Sequence, residues 1–196
     1  MARDLYLVAP SDADTISFPG RLAEVLDAVP AAALLLVQAD RSDGDYLAFA
    51  KAVAPIAQSH DCAVLLENRP DLVEETGADG VHMTGSLNAF REAVRQLKPD
   101  GIVGAGNIHS HHAAMEKGEA GADYLFFGDP ETGTAPQDVE LAAWWAKTFE
   151  IPSVLFEPDA DALASADVEF VALGRAVWTA QPSALSELLT RSGVAV

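Results

Sequence analysis

Basic residues, cysteine and long apolar runs are all scarce in this chain. Of its 196 residues only 12 are lysine or arginine, against 30 aspartates and glutamates, so the formal net charge is −18. A surface with so little positive charge argues against nonspecific binding to nucleic acid or to anionic membranes. It still permits a small anion site, because a few backbone amides and one arginine can hold a phosphate.

The shortage of cysteine bears on the compartment of the protein. Cys62 is the only cysteine, so no intramolecular disulfide can form, which is typical of a protein from a reducing compartment. No apolar stretch of the sequence approaches the roughly 20 residues that a membrane helix needs. These features predict a cytoplasmic protein with no membrane partner. At this length, with 49% apolar residues, we expect one domain over residues 1–196.

A short phrase of small residues followed by aspartate recurs at a fixed interval. Gly77-Ala78-Asp79, Gly121-Ala122-Asp123 and Ser165-Ala166-Asp167 are spaced 44 residues apart, and each leads into an apolar run. The phrase is typical of a helix end that turns into a buried strand, with glycine free to take the left-handed conformation. Since a parallel crossover needs at least about a dozen residues, one period accommodates two strand–helix units.

Eight apolar runs alternate with helical patterns along the whole chain. The predicted strands are Leu5–Ala9, Leu34–Gln38, Ala63–Leu66, Gly80–Met83, Gly101–Ala105, Tyr124–Phe127, Ser153–Phe156 and Phe170–Leu173. Near-continuous apolar runs are typical of parallel strands buried on both faces. The alternation predicts an α/β fold, a compact TIM (β/α)8 barrel. An open doubly wound sheet is disfavoured, because no Gly-rich dinucleotide fingerprint follows the first run.

In such a barrel the functional groups lie at the carboxyl ends of the strands. The candidates for binding a substrate or its phosphate are Gln38, Asn68, His109, Gly174 and Arg175. Gly174-Arg175 is the best anion candidate, because backbone amides beside a glycine can approach a phosphate and arginine adds a fork of donors. A surface arginine beside a strand-ending glycine is the simpler alternative.

Histidines invite a metal-site interpretation that their spacing does not support. His109, His111 and His112 surround the start of a predicted helix, where they face different sides and Ser110 is a plausible N-cap. His82 follows an apolar residue, which favours a hydrogen-bonded core histidine over a ligand. We therefore expect no metal site. Because many carboxylates follow the predicted strands, an acidic mouth that favours a cationic or amine-bearing ligand is a further hypothesis.

Several segments resemble the thiamine phosphate synthase/TenI family of small TIM barrels. Gln38 stands where that family's Gln-x-Arg-x-Lys strand ending begins, and Arg69–Leu72 through Gly77–His82 is similar to its third-to-fourth strand segment. Gly121–Tyr124 with Phe127-Gly128 resembles its sixth strand. The resemblance implies a role in thiamine biosynthesis and a small phosphorylated heterocycle, of thiazole or pyrimidine type, as partner. It also leaves a homodimer open, since barrels of this family commonly pair.

At the catalytic positions of that family this chain carries other residue types. The residues concerned are Asp40, Ser42, Glu67, Asn68, Thr132–Ala135, Glu157 and Pro158. In the family, Arg and Lys stand at the first two of these positions, and an Asp that ligates Mg²⁺ stands at Asn68. Asp in place of Arg beside a diphosphate turns attraction into repulsion, worth about 4 kcal/mol per close pair at an effective dielectric near 20. Standard synthase activity is therefore doubtful, and Mg²⁺ is expected as a cofactor only if that activity is retained.

The TenI branch of the family offers an alternative chemistry. Its members tautomerise a thiazole carboxylate phosphate, with a base directly after the sixth strand in a Phe-Gly-His context. This chain reads Phe127-Gly128-Asp129 there, so the resemblance implies Asp129 as the base. Glu67, at the carboxyl end of the third predicted strand, is a second catalytic candidate. Asp129 before Pro130 also suits an ordinary turn that caps its own loop. A non-catalytic barrel that binds a small molecule is the third hypothesis.

Overall fold

The strands of this chain close into a barrel. The computed structural model describes residues 3–194, and within that range eight parallel strands pair in chain order, the last with the first. They are β1 (Asp4–Val8), β2 (Ala33–Leu36), β3 (Ala63–Glu67), β4 (Gly80–Met83), β5 (Ile102–Ala105), β6 (Tyr124–Phe127), β7 (Ser153–Phe156) and β8 (Phe170–Leu173). The predicted TIM barrel is confirmed, and an open sheet is excluded.

Helices follow the strands on the outside of the barrel. Within residues 3–194 these are α1 (Phe18–Ala28), α2 (Asp43–Gln58), α3 (Val73–Thr76), α4 (Leu87–Leu97), α5 (His111–Glu119), α6 (Pro136–Thr148), α7 (Ala160–Ser165), α8 (Arg175–Thr179) and α9 (Leu185–Arg191). Short 3₁₀ turns at Pro70–Leu72 and Pro182–Ala184 precede α3 and α9. In the described part of the chain, no helix combines the length and apolar character needed to cross a bilayer.

Local sequence signals set the ends of several helices. The hydroxyls of Ser42, Ser86 and Ser110 accept the backbone N–H three residues ahead, at 3.2, 3.3 and 3.1 Å, and so cap α2, α4 and α5. Two repeats of the small-residue phrase begin with a glycine of positive φ, +70° at Gly77 and +101° at Gly121. The predicted left-handed conformations at the start of these repeats are confirmed.

The barrel interior has its own apolar core, separate from the larger layer between strands and helices. Its buried members are Tyr6, Val8, Leu35, Val37, Leu65, Tyr124, Phe126, Val154, Phe156 and Ala172. Because side chains alternate along a strand, Leu125 and Phe127 pack outward while Tyr124 and Phe126 point inward. Gly104 makes room for this packing, since a Cβ there would lie 1.9 Å from Cζ of Tyr124. The inward positions at the strand ends line the mouth.

Candidate functional site

Two adjoining cavities lie at the carboxyl ends of the strands and share Val37, Pro130 and Glu131. The first, here called the arginine cavity, has a volume of about 650 Å³ and is lined by Ser11, Gly133, Glu157, Gly174 and Arg175 among others. The second, the histidine cavity, has a volume of about 290 Å³ and includes Glu67, His82, Thr84, Asn107 and Asp129. Both open where a TIM barrel presents its functional residues.

Glu67 is an inward-facing carboxylate at the end of β3. It is half-buried, and its Oε2 accepts the backbone N–H of Gln38 at 2.9 Å. Burial raises the pKa of this carboxyl above its ordinary value, and the nearby charges of Glu131 and Asp129 raise it further against the lowering effect of the Gln38 hydrogen bond. Glu67 therefore holds a proton more readily than an exposed glutamate does. It also lines the histidine cavity.

His82 lies beside Glu67 on the neighbouring strand. The two residues are register partners in the β3–β4 pairing, so their Cα atoms are about 5 Å apart and both side chains face the barrel interior. His82 is 2% exposed, with its Nδ1 2.9 Å from the hydroxyl of Tyr124, which lies 2.8 Å from the hydroxyl of Tyr6. The buried, hydrogen-bonded histidine predicted from the sequence is confirmed, and it also lines a cavity.

The surroundings of His82 keep its ring neutral. Burial lowers the pKa of His82 to about 3, and the positive charge of Lys117 contributes to the shift. Lys117 is itself buried in α5, where its Nζ donates to the carbonyl oxygen of Gly106 at 2.6 Å, and burial lowers its pKa. Sequence reasoning missed Lys117. Lys117 lies three residues after the buried Ala114 on the same helix, and this spacing could have indicated that both residues share the buried face.

Asn68 and His109 belong to a hydrogen-bonded rim above His82. The side chain of Asn68 donates to Oγ1 of Thr84 at 2.7 Å and accepts from the backbone N–H of Thr84 at 2.8 Å. Asn107 donates to the carbonyl oxygen of Thr84 at 3.1 Å, and Nε2 of His109 lies 2.5 Å from Oδ1 of Asn107. Both ends of the Asn68 amide are thus engaged in holding the rim, and His109 reaches it only through Asn107.

Gly174 and Arg175 share the arginine cavity, as the sequence predicts, but the Gly174 amide already has an anionic partner. Its backbone N–H donates to Oε1 of Glu157 at 3.0 Å. Glu157 adopts a positive φ of +37°, which non-glycine residues seldom take. Arg175 is exposed, and its guanidinium makes no hydrogen bond or ion pair within residues 3–194. A carboxylate of the chain therefore occupies the position predicted for a phosphate.

Comparisons with known proteins agree with this architecture. A family model described as "Thiamine monophosphate synthase" matches residues 5–177. The chain belongs to this family. The resemblance inferred from sequence segments is thereby confirmed.

Three curated relatives in this family, each called "Thiamine-phosphate synthase", are similar over most of their length. The protein of Rhodospirillum centenum is 36% identical in an alignment 186 residues long that covers 89% of this chain and 88% of the relative. Those of Erythrobacter litoralis and Hyphomonas neptunium are both 35% identical, over 89% of this chain and 88% and 85% of the relatives. A solved "Thiamine phosphate pyrophosphorylase" from Pyrococcus furiosus superposes with a TM-score of 0.78 over 96% of this chain and 95% of that one, at 20% identity, and so supports the fold.

Asp129, the base position implied by the TenI branch of this family, closes its own loop. Its Oδ1 accepts the backbone N–H groups of Glu131 and Thr132 at 2.7 and 2.8 Å. Its backbone also pairs with Gly133, through hydrogen bonds of 3.0 and 2.8 Å. This is the ordinary turn that the sequence allowed as an alternative. Asp129 still lines the histidine cavity, with one carboxylate oxygen committed to the loop.

Gln38, which stands at the family's substrate-binding strand ending, turns its side chain toward an outer ion-pair network. Its Nε2 donates to Oδ1 of Asp43 at 3.2 Å, and Asp43 accepts from Arg69 at 2.7 Å. Arg69 also forks onto both carboxylate oxygens of Asp71, at 2.9 and 2.7 Å. Gln38 therefore contacts the inner site through its backbone N–H, which Glu67 accepts.

The carboxylates at the mouth each accept hydrogen bonds from the chain itself. Glu67, Asp129 and Glu157 each accept backbone N–H groups of the chain itself. In the part of the chain that the structure describes, no group of three His, Cys, Asp or Glu side chains converges so as to hold a metal ion. Mg²⁺ is usually held by one or two carboxylates together with substrate phosphates and water. The other oxygen of each of these three carboxylates accepts no hydrogen bond within residues 3–194, so a cation held together with a diphosphate would meet these free oxygens.

Proposed function

We propose that this chain acts in thiamine biosynthesis on a small phosphorylated heterocycle, and that it catalyses a proton transfer of the tautomerase type in the histidine cavity. Membership of the thiamine monophosphate synthase family supports the pathway. The register pairing of Glu67 with His82 at the inner mouth supports the reaction type, since it places a proton acceptor beside a neutral hydrogen-bonding ring. Tautomerisation moves a proton between ring atoms and needs no leaving group.

Glu67 is the better base of the two catalytic candidates. A general base works best when its pKa lies near the operating pH, and burial shifts the pKa of Glu67 upward in that direction. Its Oε2 is oriented by the Gln38 N–H, whereas Oδ1 of Asp129 is held by two amides of its own loop. In the proposed reaction Glu67 takes a proton from one atom of the heterocycle and returns it to another.

Arg175 is the residue proposed to meet the phosphate of the ligand. It is exposed on the wall of the arginine cavity, which adjoins the histidine cavity through Val37, Pro130 and Glu131. A ligand with its ring against Glu67 and its phosphate toward Arg175 would span both cavities. Arginine suits this role because its planar fork of donors matches a phosphate.

A synthase reaction is the second candidate, and the names of the three curated relatives favour it. One assay pair separates the two reactions. The purified protein is given a pyrimidine diphosphate, thiazole phosphate and Mg²⁺ while pyrophosphate release is followed, and separately a thiazole carboxylate phosphate while its ultraviolet spectrum is followed. We expect tautomerisation. Release of pyrophosphate that depends on Mg²⁺, without tautomerisation, would establish the synthase instead.

Two matched substitutions test the base. Glu67→Gln keeps an oxygen acceptor for the Gln38 N–H but cannot take a proton, and should lower kcat by roughly 10²- to 10⁴-fold. Asp129→Asn keeps the acceptor that closes its loop and should leave most of the activity. The reverse result would make Asp129 the base. A protein that lacks both activities but binds thiazole phosphate in calorimetry would be the non-catalytic barrel.

A further inference from the structure

The second ring nitrogen of His82 has no protein partner. Nδ1 bonds to Tyr124, but within residues 3–194 no group forms a hydrogen bond with Nε2, although the residue is 2% exposed and lines the histidine cavity. Nε2 is not sealed into the core either, since Arg3 Nε is the one fully buried, unpartnered side-chain nitrogen or oxygen in the described range. Buried polar groups in proteins are almost always paired. An unpaired nitrogen beside a cavity therefore points to a ligand.

The hydrogen-bond chain beneath His82 determines which nitrogen carries the proton. If Nδ1 donated to Tyr124, then Tyr124 would donate to Tyr6, and the Tyr6 hydroxyl proton would have no acceptor within residues 3–194. In the opposite direction Tyr6 donates to Tyr124 and Tyr124 donates to Nδ1, so both hydroxyl protons are used. Each direction leaves one of the three protons without a protein partner: the first leaves it on the buried Tyr6 hydroxyl, and the second leaves it on Nε2, which borders the histidine cavity. Because an unpaired donor costs more when it is buried away from water, the second direction is favoured. Nε2 then carries the ring hydrogen.

Glycine at position 106 keeps this N–H open to the cavity. A Cβ built on Gly106 would lie 2.4 Å from Nε2 of His82 and 2.8 Å from its Cε1. Any side chain at this position would therefore cover the nitrogen. The backbone of Gly106 is fixed from both sides, since its N–H donates to the carbonyl oxygen of Met83 at 3.0 Å and its carbonyl oxygen accepts from Lys117.

We propose that His82 is a catalytic hydrogen-bond donor, whose Nε2–H binds an acceptor atom of the ligand in the histidine cavity, and that Tyr124 and Tyr6 are positioning residues that fix its orientation. The acceptor would be a ring nitrogen or a carbonyl or carboxylate oxygen conjugated with the heterocycle. The catalytic part of this proposal rests on the proposed tautomerase function. The binding part does not depend on it.

The chemistry divides between the two register partners. Glu67 receives the proton that leaves the heterocycle, and the electron pair left behind moves through the conjugated ring toward the acceptor atom held by His82. Glu67 then delivers the proton to another ring atom, while His82 keeps its own. Since the pKa of His82 is lowered to about 3, the donor is the neutral ring across the physiological range. A preorganised neutral donor can stabilise charge that develops during the reaction.

Nitrogen NMR of histidine-labelled protein tests the tautomer without any activity. Between pH 5 and 8, His82 should show a protonated Nε2 and an unprotonated Nδ1 that accepts a hydrogen bond. Tyr124→Phe should change the Nδ1 signal, whereas Tyr46→Phe should not. The buried Tyr46 hydroxyl donates to the carbonyl oxygen of Leu36 at 2.6 Å and accepts the backbone N–H of Glu67 at 2.9 Å, but forms no hydrogen bond with His82, Tyr124 or Tyr6. Added thiazole carboxylate phosphate should shift the Nε2 proton. A protonated Nδ1, or no shift at saturation, would overturn the proposal.

Substitutions of His82 then test its catalytic part. His82→Gln keeps an N–H near the position of Nε2, and His82→Met removes it while filling the space. We expect kcat to fall by roughly 10²- to 10³-fold in the Met variant, with a small change in KM and partial recovery in the Gln variant. Equal kcat values for the Met variant and the wild type would refute the catalytic role.

Calorimetry keeps the two proposals distinguishable. If the wild type does not tautomerise the substrate, the proposed function fails, but thiazole carboxylate phosphate can still be titrated into each variant. The binding part predicts at least about tenfold weaker affinity for His82→Met and for Gly106→Ala than for the wild type, at unchanged far-ultraviolet circular dichroism. Unchanged affinity in both folded variants would remove His82 from the site.

Discussion

The two cavities at the barrel mouth differ in where their polar groups come from. The histidine cavity takes Glu67 and His82 from inward positions of β3 and β4, and its ring donor is neutral and buried. The arginine cavity takes Glu157 and Arg175 from residues that follow β7 and β8, and both are exposed. Groups fixed on strands suit chemistry that needs exact placement, and exposed groups on loops suit capture of a charged ligand.

A carboxylate in each cavity shows the same contrast. Glu67 and Glu157 both accept a backbone N–H, at 2.9 and 3.0 Å. Glu67 is half-buried and its pKa is raised by that burial, whereas Glu157 is exposed and sits against the Gly174 amide in a strained backbone conformation. One carboxylate is thus suited to exchange a proton, and the other to compete with an incoming anion.

The largest predicted effect tests the buried, neutral character of the histidine cavity. The folded-state pKa of His82 is about 3, below the ordinary value of about 6.5. The unfolded state therefore binds a proton that the folded state excludes, so the free energy of unfolding falls as pH drops through 6.5 toward 3, by roughly 2 kcal/mol between pH 7.5 and pH 5. Urea unfolding followed by tryptophan fluorescence at pH 7.5 and 5 measures it.

His82→Gln is the control for that measurement. The substitution removes the titrating ring, so the free energy of unfolding should depend less on pH than in the wild type by about the same 2 kcal/mol. Other titrating groups are common to both proteins and cancel in the difference. Parallel pH profiles for the two proteins would show that His82 is not held neutral by its surroundings.

An intermediate effect is expected in the arginine cavity. Glu157→Gly removes the carboxylate from the Gly174 amide and suits the positive φ of this position. We expect at least about tenfold tighter binding of inorganic phosphate, or 1.4 kcal/mol, in isothermal titration calorimetry. Glu157→Gln, which keeps an acceptor but loses the charge, should lie between the two.

Adding Arg175→Ala to the Glu157→Gly protein tests whether the gain in phosphate affinity depends on Arg175. It should abolish the gain, because the guanidinium is the cation proposed to meet the phosphate. If the wild type binds phosphate as tightly as Glu157→Gly does, Glu157 does not occupy an anion site. The proposed role of Glu157 as a competitor for the phosphate in the arginine cavity would then be wrong.

The smallest effect concerns the outer ion-pair network around Arg69, away from both cavities. Arg69→Lys replaces the fork onto Asp71 and the contact with Asp43 by a single ammonium. Both carboxylates are exposed, so we expect a loss of less than about 1 kcal/mol. Urea unfolding should show this loss at low salt and not in 1 M NaCl, where the screening length is about 3 Å. A larger loss of unfolding free energy that persists in salt would mean that the Arg69 ion pairs stabilise the barrel mouth more than exposed ion pairs normally do.

The fold could be predicted because each strand is a local apolar run. Four predicted strands, among them Gly80–Met83 and Phe170–Leu173, have the observed bounds, and the others differ by one or two residues at an end. The strand ends also located Glu67, Gly174 and Arg175 at one mouth. Burial on both faces makes a parallel strand recognisable without knowledge of its neighbours.

Contacts between distant residues could not be predicted in the same way. Tyr6 and Tyr124 are 118 residues apart, and Tyr124 and His82 are 42 apart, so nothing local in the sequence indicates that their polar atoms meet. The partner that fills the Gly174 amide comes from 17 residues upstream, at the end of another strand. The Asp129 turn, by contrast, uses amides two and three residues away, and the sequence did offer it as an alternative.

Gly104 links the residue types that positions 104 and 124 can carry in related proteins. A methyl group on its Cα would overlap the phenol ring of Tyr124, so a lineage that gains a side chain at 104 must shrink the residue at 124. It then gives up the hydroxyl that orients the imidazole below the mouth. Positions 104 and 124 should accordingly change together during divergence. Homologous barrels should then fall into two groups, those that keep the hydrogen bond from the tyrosine at 124 to the buried histidine and those that lack it.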